Sequence, residues 1–262
     1  MSCSLPADCF NEILEKLEGD KITLRSCLLV NRLWCKISVR ILWRDIWSFK
    51  YSATYKSSIL STLISCLPNE SKELLCKNEI FISTPTSKPP LFNYISFCKV
   101  LSIDGISQIT GDAVTDASQN LKDKYLISKE MLKMFIGQVS SLKSFNCVGC
   151  YTITDNIPFT SFPGAKDCLT DLSELYCDSI INSEFFYQLS RICHNLRSLT
   201  IRIESKISNE LKELVSSQNN LKNLKLSAYY IVMNSWADII PALMKHSNTL
   251  TKLHLVLVIL IS

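Results

Sequence analysis

The residues with the most recognisable chemical spacing in this sequence are Cys147-Val148-Gly149-Cys150, a CxxC. This spacing occurs in zinc sites and in redox-active dithiols. A structural zinc ion takes four ligands, however, and no second CxxC or histidine pair supplies the other two. Cys147 also fills the last apolar position of a repeated strand pattern, which favours a place in the core. The sequence therefore predicts neither a metal ion nor a cofactor.

Histidine is the residue on which cysteine catalysis would depend, because a thiol nucleophile needs a positioned base. The chain has three histidines, His194, His246 and His254. His194 follows a predicted helix, where a partly cationic ring interacts favourably with the helix dipole. P-loop, GxSxG, HExxH and dinucleotide-binding glycine patterns are missing, and six glycines leave little room for phosphate-cradling loops. We therefore expect no enzymatic activity.

Composition and charge narrow the function classes further. The 262 residues are 47% hydrophobic and 20% charged, which allows a sizeable core in one or two domains. The net charge of +4 is not gathered into a tail and gives weak support for nucleic acid binding. The longest apolar run, residues 255–261, is too short to cross a bilayer, and the N-terminus does not resemble a secretory signal. We expect an intracellular protein, cytoplasmic or nuclear, whose twelve cysteines stay reduced.

Three short helices are predicted in residues 1–48. The first is marked by apolar residues at i, i+3, i+4 and i+7, namely Phe10, Ile13, Leu14 and Leu17. Gly19 ends it, Thr23 is suited to cap a second helix, and Asn31 can begin a third. A module of this size buries a limited fraction of its surface and usually gains stability from a partner. Docking to another protein is therefore a reasonable role for it.

The third predicted helix carries two stripes. Its apolar stripe consists of Trp34, Ile37 and Ile41. Its basic stripe consists of Arg32, Lys36, Arg40 and Arg44. The basic stripe is either an ordinary solvated helix face or a nucleic-acid surface. We favour the solvated face because no aromatic residues that could stack on bases interleave with the cations.

The same segment resembles the F-box over about residues 4–48. The matching residues, in chain order, are Leu5-Pro6, Phe10, Ile13-Leu14, Leu17, Leu24, Leu28-Leu29-Val30, Asn31-Arg32-Leu33-Trp34 and Leu42-Trp43-Arg44-Asp45-Ile46. Asn31 stands where the family often has cysteine, but asparagine suits a helix start. The resemblance implies that this segment binds a Skp-family adaptor and, through it, a cullin scaffold.

Eight residues are implied by that resemblance as the Skp-adaptor surface. They are Leu5, Pro6, Ile13, Leu14, Leu17, Leu29, Val30 and Trp34. The alternative is that these residues only form the core of the three helices. We expect a division in which Phe10, Leu28 and Ile41 point inward. The partner would then contact Leu5, Pro6, Leu14 and Trp34.

Residues 49–90 are predicted to form a connector of two helices and a proline-rich loop. After this connector, residues 91–262 contain repeated copies of a Leu-x-x-Leu-x-Leu unit. The stronger copies are Leu196-Leu199-Ile201, Leu221-Leu224-Leu226 and Leu250-Leu253-Leu255. The weaker copies are Leu172-Leu175-Cys177, Leu142-Phe145-Cys147 and Cys98-Leu101-Ile103. From residue 142 onward the starts are 30, 24, 25 and 29 residues apart, close to the spacing of about 20 to 29 in leucine-rich repeats.

Helical patterns lie between these copies, at residues 131–136, 185–192 and 236–243. The long gap before residue 142 contains residues 107–128, which are polar and are predicted to be a surface insertion. The repeats resemble the cysteine-containing leucine-rich repeats that are often joined to F-boxes. The expected fold is α/β, with a three-helix module and a helical connector followed by a solenoid of parallel strands backed by helices.

The strand pattern also predicts a target-binding face, because a period of two sends the residues between the leucines onto the concave surface. The chosen residues are Asp104, Asn146, Glu174, Tyr176, Asp178, Thr200, Arg202, Lys225, Lys252 and His254. Acidic residues come early and basic ones late. We predict Tyr176 as an aromatic anchor and a basic end suited to an acidic or phosphorylated segment. The alternative is a face that is polar only because it meets water.

The two halves of the chain together imply a substrate-recognition subunit of a Skp-cullin-F-box ubiquitin ligase, whose repeats hold a protein target for ubiquitination. Two other interpretations remain: a non-catalytic leucine-rich scaffold, and a Skp-binding regulator that acts without the cullin. Neither nucleic acid nor a membrane is expected as a partner. Residues 253–261 form an uncapped apolar strand, so we expect either a shortened form of a longer array or self-association.

Overall fold

The computed structural model describes residues 6–48, 53–80, 89–111, 120–149, 159–229 and 238–258. Within these ranges the protein is α/β, with helices packed on a six-stranded parallel sheet. The coarse fold prediction is therefore confirmed. Across the same residues, no helix has the length and apolar character that a membrane span requires.

The N-terminal module consists of the three predicted helices, α1 (Ala7–Glu15), α2 (Lys21–Cys27) and α3 (Arg32–Leu42). The Asn31 side chain accepts a hydrogen bond from the Trp34 amide and caps α3, as expected. The cap of α2 was wrongly predicted, because Asp20 accepts from the Thr23 amide and takes the N-cap position. The module has its own small core, formed by Leu14, Leu24, Cys27, Ile37, Ile41 and Leu42.

Two connector helices follow, α4 (Ala53–Cys66) and α5 (Asn69–Lys77). Pro68 precedes α5 and ends the pattern of α4, as the sequence predicts. The buried residues of both helices join the core beneath the sheet, among them Ile59, Leu63 and Leu75. Most of the proline-rich loop predicted at residues 84–90 lies outside the described residues.

The sheet contains one strand from each of the six Leu-x-x-Leu-x-Leu copies. The strands are β1 (Val100–Ser102), β2 (Ser144–Asn146), β3 (Glu174–Asp178), β4 (Ser198–Ile203), β5 (Asn223–Tyr229) and β6 (Lys252–Val258). They lie side by side in chain order, each parallel to the next. On β4 buried and partly exposed residues alternate along the whole strand, which gives the sheet one core face and one open face.

Helices return the chain from each strand to the next. They are α6 (Ile103–Gly111), α7 (Asn120–Gln138), α8 (Ala165–Leu169), α9 (Ser183–Ile192), α10 (Asn209–Ser216) and α11 (Ile240–Leu243). The predicted polar surface insertion at residues 107–128 is wrong at both of its described ends, which are helical and partly buried, although Gln108 and Lys122 are exposed. Ile109, Thr110, Ile127 and Ser128 lie buried in α6 and α7. The start of the helical pattern at residues 236–243 lies outside the described residues.

Backbone hydrogen bonds tie the first repeat to the N-terminal module. The carbonyl of Arg44, two residues past α3, accepts from the amides of Lys99 (2.8 Å) and Val100 (3.0 Å). The carbonyl of Lys99 accepts in the same way from Lys143 and Ser144. The end of the module therefore takes the place that a preceding repeat would take, and the two parts share one ladder of hydrogen bonds.

Trp47 is packed at this junction. Its indole N–H donates to the Val100 carbonyl at 2.8 Å, and its ring lies 5.8 Å from the ring of Phe135. A β-carbon added at Gly105 would stand 2.3 Å from the Trp47 ring, whereas one added at Gly111, in the same helix, would have no described atom within 4 Å. The close approach of α6 to Trp47 therefore requires glycine at position 105.

We predict that Gly105→Ala lowers the free energy of unfolding by about 1–3 kcal/mol, because the added methyl overpacks the junction. The matched control Gly111→Ala should be neutral or stabilise the protein by up to about 1 kcal/mol through helix propensity. Urea unfolding of both variants measures the difference. Equal stability of the two would refute the packing assigned to Trp47.

The last strand leaves apolar side chains in contact with water. Leu253 and Leu255 are each about half exposed, at 50% and 51%, whereas their partners on β5, Leu224 and Leu226, are buried. An exposed apolar edge strand favours association between chains. We therefore expect that Leu255→Lys lowers the average mass measured by light scattering at high concentration. His254→Lys places a charge on the opposite face of β6 and should leave that mass higher than Leu255→Lys does.

Candidate functional site

The first candidate surface is a set of apolar side chains that the N-terminal module leaves in water. Leu29 is 89% exposed and Ile22 is 79% exposed; Ile13, Val30 and Leu33 are also exposed. They belong to all three helices and to the turn between α2 and α3. Exposed apolar side chains concentrated on a small module are typical of a protein-docking surface.

The eight residues predicted for the adaptor surface fall into different places. Ile13, Leu29 and Val30 are exposed, and so is Pro6, which precedes α1. Leu14 was wrongly assigned, because it is 1% exposed and belongs to the core of the module. Leu17 and Trp34 are partly buried against that core, and Leu5 lies outside the described residues.

Of the three residues expected to point inward, Ile41 is buried, but Phe10 and Leu28 are only partly buried. Phe10 packs on Trp34 with 5.5 Å between ring centres. This aromatic pair closes α1 against α3, so Trp34 has a structural contact as well as partial exposure.

Sequence reasoning missed Ile22 and Leu33 as exposed apolar residues. Ile22 lies off the apolar pattern of Leu24 and Cys27 in its helix, which was an available signal. Leu33 lies one turn before Ile37, on the apolar side of α3, so the sequence contained no signal for its exposure.

An ion pair fixes α1 to the segment after α3. The guanidinium of Arg44 donates two hydrogen bonds to the Glu15 carboxylate and lies 3.6 Å from Glu18. These hydrogen bonds from Arg44 lower the pKa of Glu15. Arg44 was predicted to belong to a basic stripe, but its charge is opposed by two carboxylates. Arg32, Lys36 and Arg40 remain exposed along α3.

The second candidate surface is the open face of the sheet. Strand register places five of the predicted target-binding residues in one row across β2 to β6, in the order Asn146, Tyr176, Thr200, Lys225 and His254. A parallel row contains Glu174 and Lys252. These side chains are partly or fully exposed. The alternation predicted from the sequence is therefore present, and it brings residues far apart in the chain together.

Two acidic residues predicted for this face are placed elsewhere. Asp104 lies in the first turn of α6 and accepts a hydrogen bond from Gln108, because β1 ends at Ser102. Asp178 is on β3 but is 0% exposed. Glu174 is thus the remaining acidic residue of the predicted set on the open face. The predicted gradient from acidic to basic is weaker than the sequence indicates.

Asp178 is buried because it forms a network with Arg202. Its two carboxylate oxygens accept from Nε and a terminal nitrogen of Arg202, at 2.8 and 2.9 Å, and one also accepts from the Gly149 amide. Arg202 Nε lies 2.7 Å from Glu204 as well. Gly149 has a φ of +78°, a conformation that suits glycine. Arg202 is therefore a structural cation opposed by two carboxylates, and its assignment to the basic end is wrong.

Tyr176 lies partly exposed in the middle of the row. Burial, and then the neighbouring Glu174, raise the pKa of its phenol. The phenol is therefore protonated at neutral pH and can donate a hydrogen bond. A half-exposed aromatic ring with a polar tip can serve as a contact for a bound protein.

Six of the ten described cysteines are buried and behave as small apolar residues, whereas Cys9 and Cys76 are exposed. All ten carry free thiols. Burial raises the pKa of Cys66 to about 11 and the pKa of both Cys168 and Cys193 to about 12, and it also raises the pKa of Cys98. Such thiols stay protonated at neutral pH. Cys147 is buried, while Cys150, the other half of the CxxC, lies outside the described residues.

Neither a protein-family model nor a curated protein matches this chain. The two candidate surfaces and their geometry are therefore the basis for any functional conclusion. Both consist of exposed side chains, held on helices and the turn between α2 and α3 in the first surface and on strands in the second, and such side chains are available to a binding partner.

We predict that Arg202→Met lowers the free energy of unfolding by about 3 kcal/mol, because it leaves the buried carboxylate of Asp178 without its cation. Lys225→Met removes an equal charge from an exposed position, so its effect should stay within about 0.5 kcal/mol. Chemical denaturation of the two variants provides the comparison. A mild effect of Arg202→Met would show that Gly149 and the surrounding backbone satisfy Asp178 alone.

Proposed function

We propose that this chain is the substrate-recognition subunit of a Skp-cullin-F-box ubiquitin ligase. In this proposal the N-terminal module is an F-box that binds a Skp-family adaptor, and the sheet is built from leucine-rich repeats that hold the protein target. The observation that supports the proposal is that the chain joins two candidate binding surfaces. An exposed apolar module is hydrogen-bonded through Arg44 to a repeat sheet with an open polar face.

The chemistry of the two surfaces supports this division of roles. Ile22, Leu29 and Val30 offer apolar area that water solvates poorly, which suits permanent docking to a conserved adaptor. The open face instead presents separate polar and charged groups around Tyr176. Polar rows with one aromatic residue suit recognition of a particular target. The shared ladder at Arg44 would hold a bound target at a fixed position relative to the adaptor.

We predict that the double variant Leu29→Asp, Val30→Asp binds a purified Skp-family adaptor at least about tenfold more weakly, a loss of about 1.4 kcal/mol. Both side chains are exposed, so circular dichroism and the melting temperature should stay unchanged. Met244→Asp introduces an acid at an exposed apolar residue near β6 and serves as the matched control. Calorimetric titration of the adaptor gives the affinities.

The outcome separates the three interpretations. Unchanged affinity in the folded double variant would remove Leu29 and Val30 from the adaptor surface. A pull-down from cell extract that contains the adaptor but lacks the cullin would support a Skp-binding regulator. If wild-type protein fails to bind the adaptor at all, the scaffold interpretation replaces the ligase.

A further inference from the structure

The residue just before the strand is basic in four of the six strands. The carbonyl of this residue accepts hydrogen bonds from the next repeat, so these positions form a regular line across the sheet. From β1 to β6 the line reads Lys99, Lys143, Ser173, Arg197, Lys222 and Thr251. We call this line the strand-entry edge. It is distinct from the predicted basic end, of which only Lys225 and Lys252 remain.

The first two cations of the strand-entry edge have partners within the protein. Lys99 Nζ donates to the Ser141 carbonyl at 3.1 Å, and Lys143 Nζ lies 3.3 Å from the carboxylate of Asp171. The Ser141 hydroxyl also donates to Asp171, and these contacts lower the pKa of that carboxyl. Asp171 therefore offsets the charge of Lys143, whereas the Ser141 carbonyl accepts a hydrogen bond from Lys99 without cancelling its charge.

The part of the edge beside β4 and β5 is different. Arg197 and Lys222 are both exposed, and their side chains form no ion pair or hydrogen bond with any residue in the described ranges. Lys225 lies three residues beyond Lys222 on β5, and Lys252 lies one residue beyond Thr251 on β6. Both are also exposed and unpaired within those ranges. Four cations thus lie on three adjacent strands without an internal counter-charge.

Helix C-termini do not explain these cations. Helices return antiparallel to the strands, so their carbonyl ends face the strand-entry edge and could attract basic residues. The terminal carbonyl of α10, at Ser216, already accepts from Lys245 Nζ at 2.6 Å. His246 Nε2 lies 2.8 Å from the carbonyl of Val215. Arg197 and Lys222 are therefore left to interact with a partner.

The geometry suits an extended anionic chain. Neighbouring strands are about 4.8 Å apart, so the three positions from Arg197 to Thr251 span about 10 Å, the length of about three extended residues. Unpaired like charges at this spacing repel one another, and an anionic partner would relieve that repulsion. The smaller residue Ser173 separates the side chains of Lys143 and Arg197, and Thr251 ends the line beside Lys222.

Two features favour an acidic polypeptide over nucleic acid. None of the six strand-entry residues is aromatic, so the edge itself lacks a platform on which bases could stack. Glu174, at the first position of β3, would repel a continuous phosphate backbone. A peptide can avoid that repulsion by presenting acidic residues only where cations stand.

We propose that the strand-entry edge from Arg197 to Thr251, together with Lys225 and Lys252, binds an acidic segment of a partner protein. The statement that this partner is the ubiquitination target rests on the proposed function; the binding itself does not. The carboxylates, or phosphoryl groups, of the segment pair with Arg197 and Lys222 at the edge. The segment then continues toward Tyr176 on the open face.

The test uses the full chain and labelled peptides of about seven residues, which are long enough to cover the about 10 Å from Arg197 to Thr251 and to continue onto the open face. One peptide is rich in glutamate, a second has phosphoserine at the same places, and a third is neutral with glutamine. The edge variant is Arg197→Ser, Lys222→Thr, because serine and threonine already occupy the same position at Ser173 and Thr251. The control variant, Lys166→Ser, Arg191→Ser, removes the same charge from exposed positions on α8 and α9.

Fluorescence polarisation should show that the edge variant binds the acidic peptide about five- to tenfold more weakly than wild type, the sum of two exposed ion pairs. Its affinity should also depend less on salt, whereas the control variant matches wild type. Tighter binding of the phosphoserine peptide than of the glutamate peptide would identify a phosphorylated segment.

Equal affinity of the edge variant and wild type would overturn the proposal, and so would equal binding of the neutral peptide. A single-stranded oligonucleotide of similar length that binds more tightly than every peptide would also overturn it, in favour of nucleic acid. Adaptor binding is measured on the same proteins. If peptide binding behaves as expected but the adaptor is not bound, the edge assignment stands and the ligase proposal fails.

Discussion

One backbone hydrogen-bond pattern organises the whole structure: the carbonyl before each strand accepts two amides from the next repeat. The pattern begins at Arg44 and passes through Lys99, Lys143 and the later repeats to Lys222. A single strand with its helix cannot bury its own apolar face, so each unit depends on the next for its core. The ladder sets the register, and the register decides which side chains share a row on the open face.

The start of this ladder also determines how the two candidate surfaces are related. Because Arg44 belongs both to the end of the helical module and to the ladder, the module is joined to the sheet by backbone contacts as well as by side chains. Trp47 and Gly105 add close packing at the same junction. A binding surface on a flexible tether would sample many positions, whereas this junction holds the module and the first repeat together. Such a connection suits a protein that presents one partner to another.

Electrostatics on the sheet depends on which charges are already paired. Arg202 has two carboxylates beside it, and the buried Asp178 makes that arrangement a structural requirement. Arg197 and Lys222 have no such partners among the described residues, although the sequence does not distinguish them from Arg202. Unpaired positive charge therefore lies at Arg197 and Lys222 on the strand-entry edge, and not at Arg202 further along β4. A count of basic residues along the chain does not reveal this shift.

The sequence alone determined the local periodic structure of this protein. The Leu-x-x-Leu-x-Leu copies, such as Leu196, Leu199 and Ile201, predict six strands with one buried face. The apolar stripe around Ile37 and Ile41 predicts α3. Both predictions depend only on the period of apolar residues within a short window. Only the tertiary structure decided which residues of a pattern are covered. Leu14 is buried and Ile22 exposed because other helices pack on one and not on the other. Asp178 is buried because Arg202, on the next strand, pairs with it. The Arg44 carbonyl accepts from the amides of Lys99 and Val100, which are 55 and 56 residues further along the chain. Burial and ion pairing depend on contacts between distant segments, and a local pattern contains no information about them.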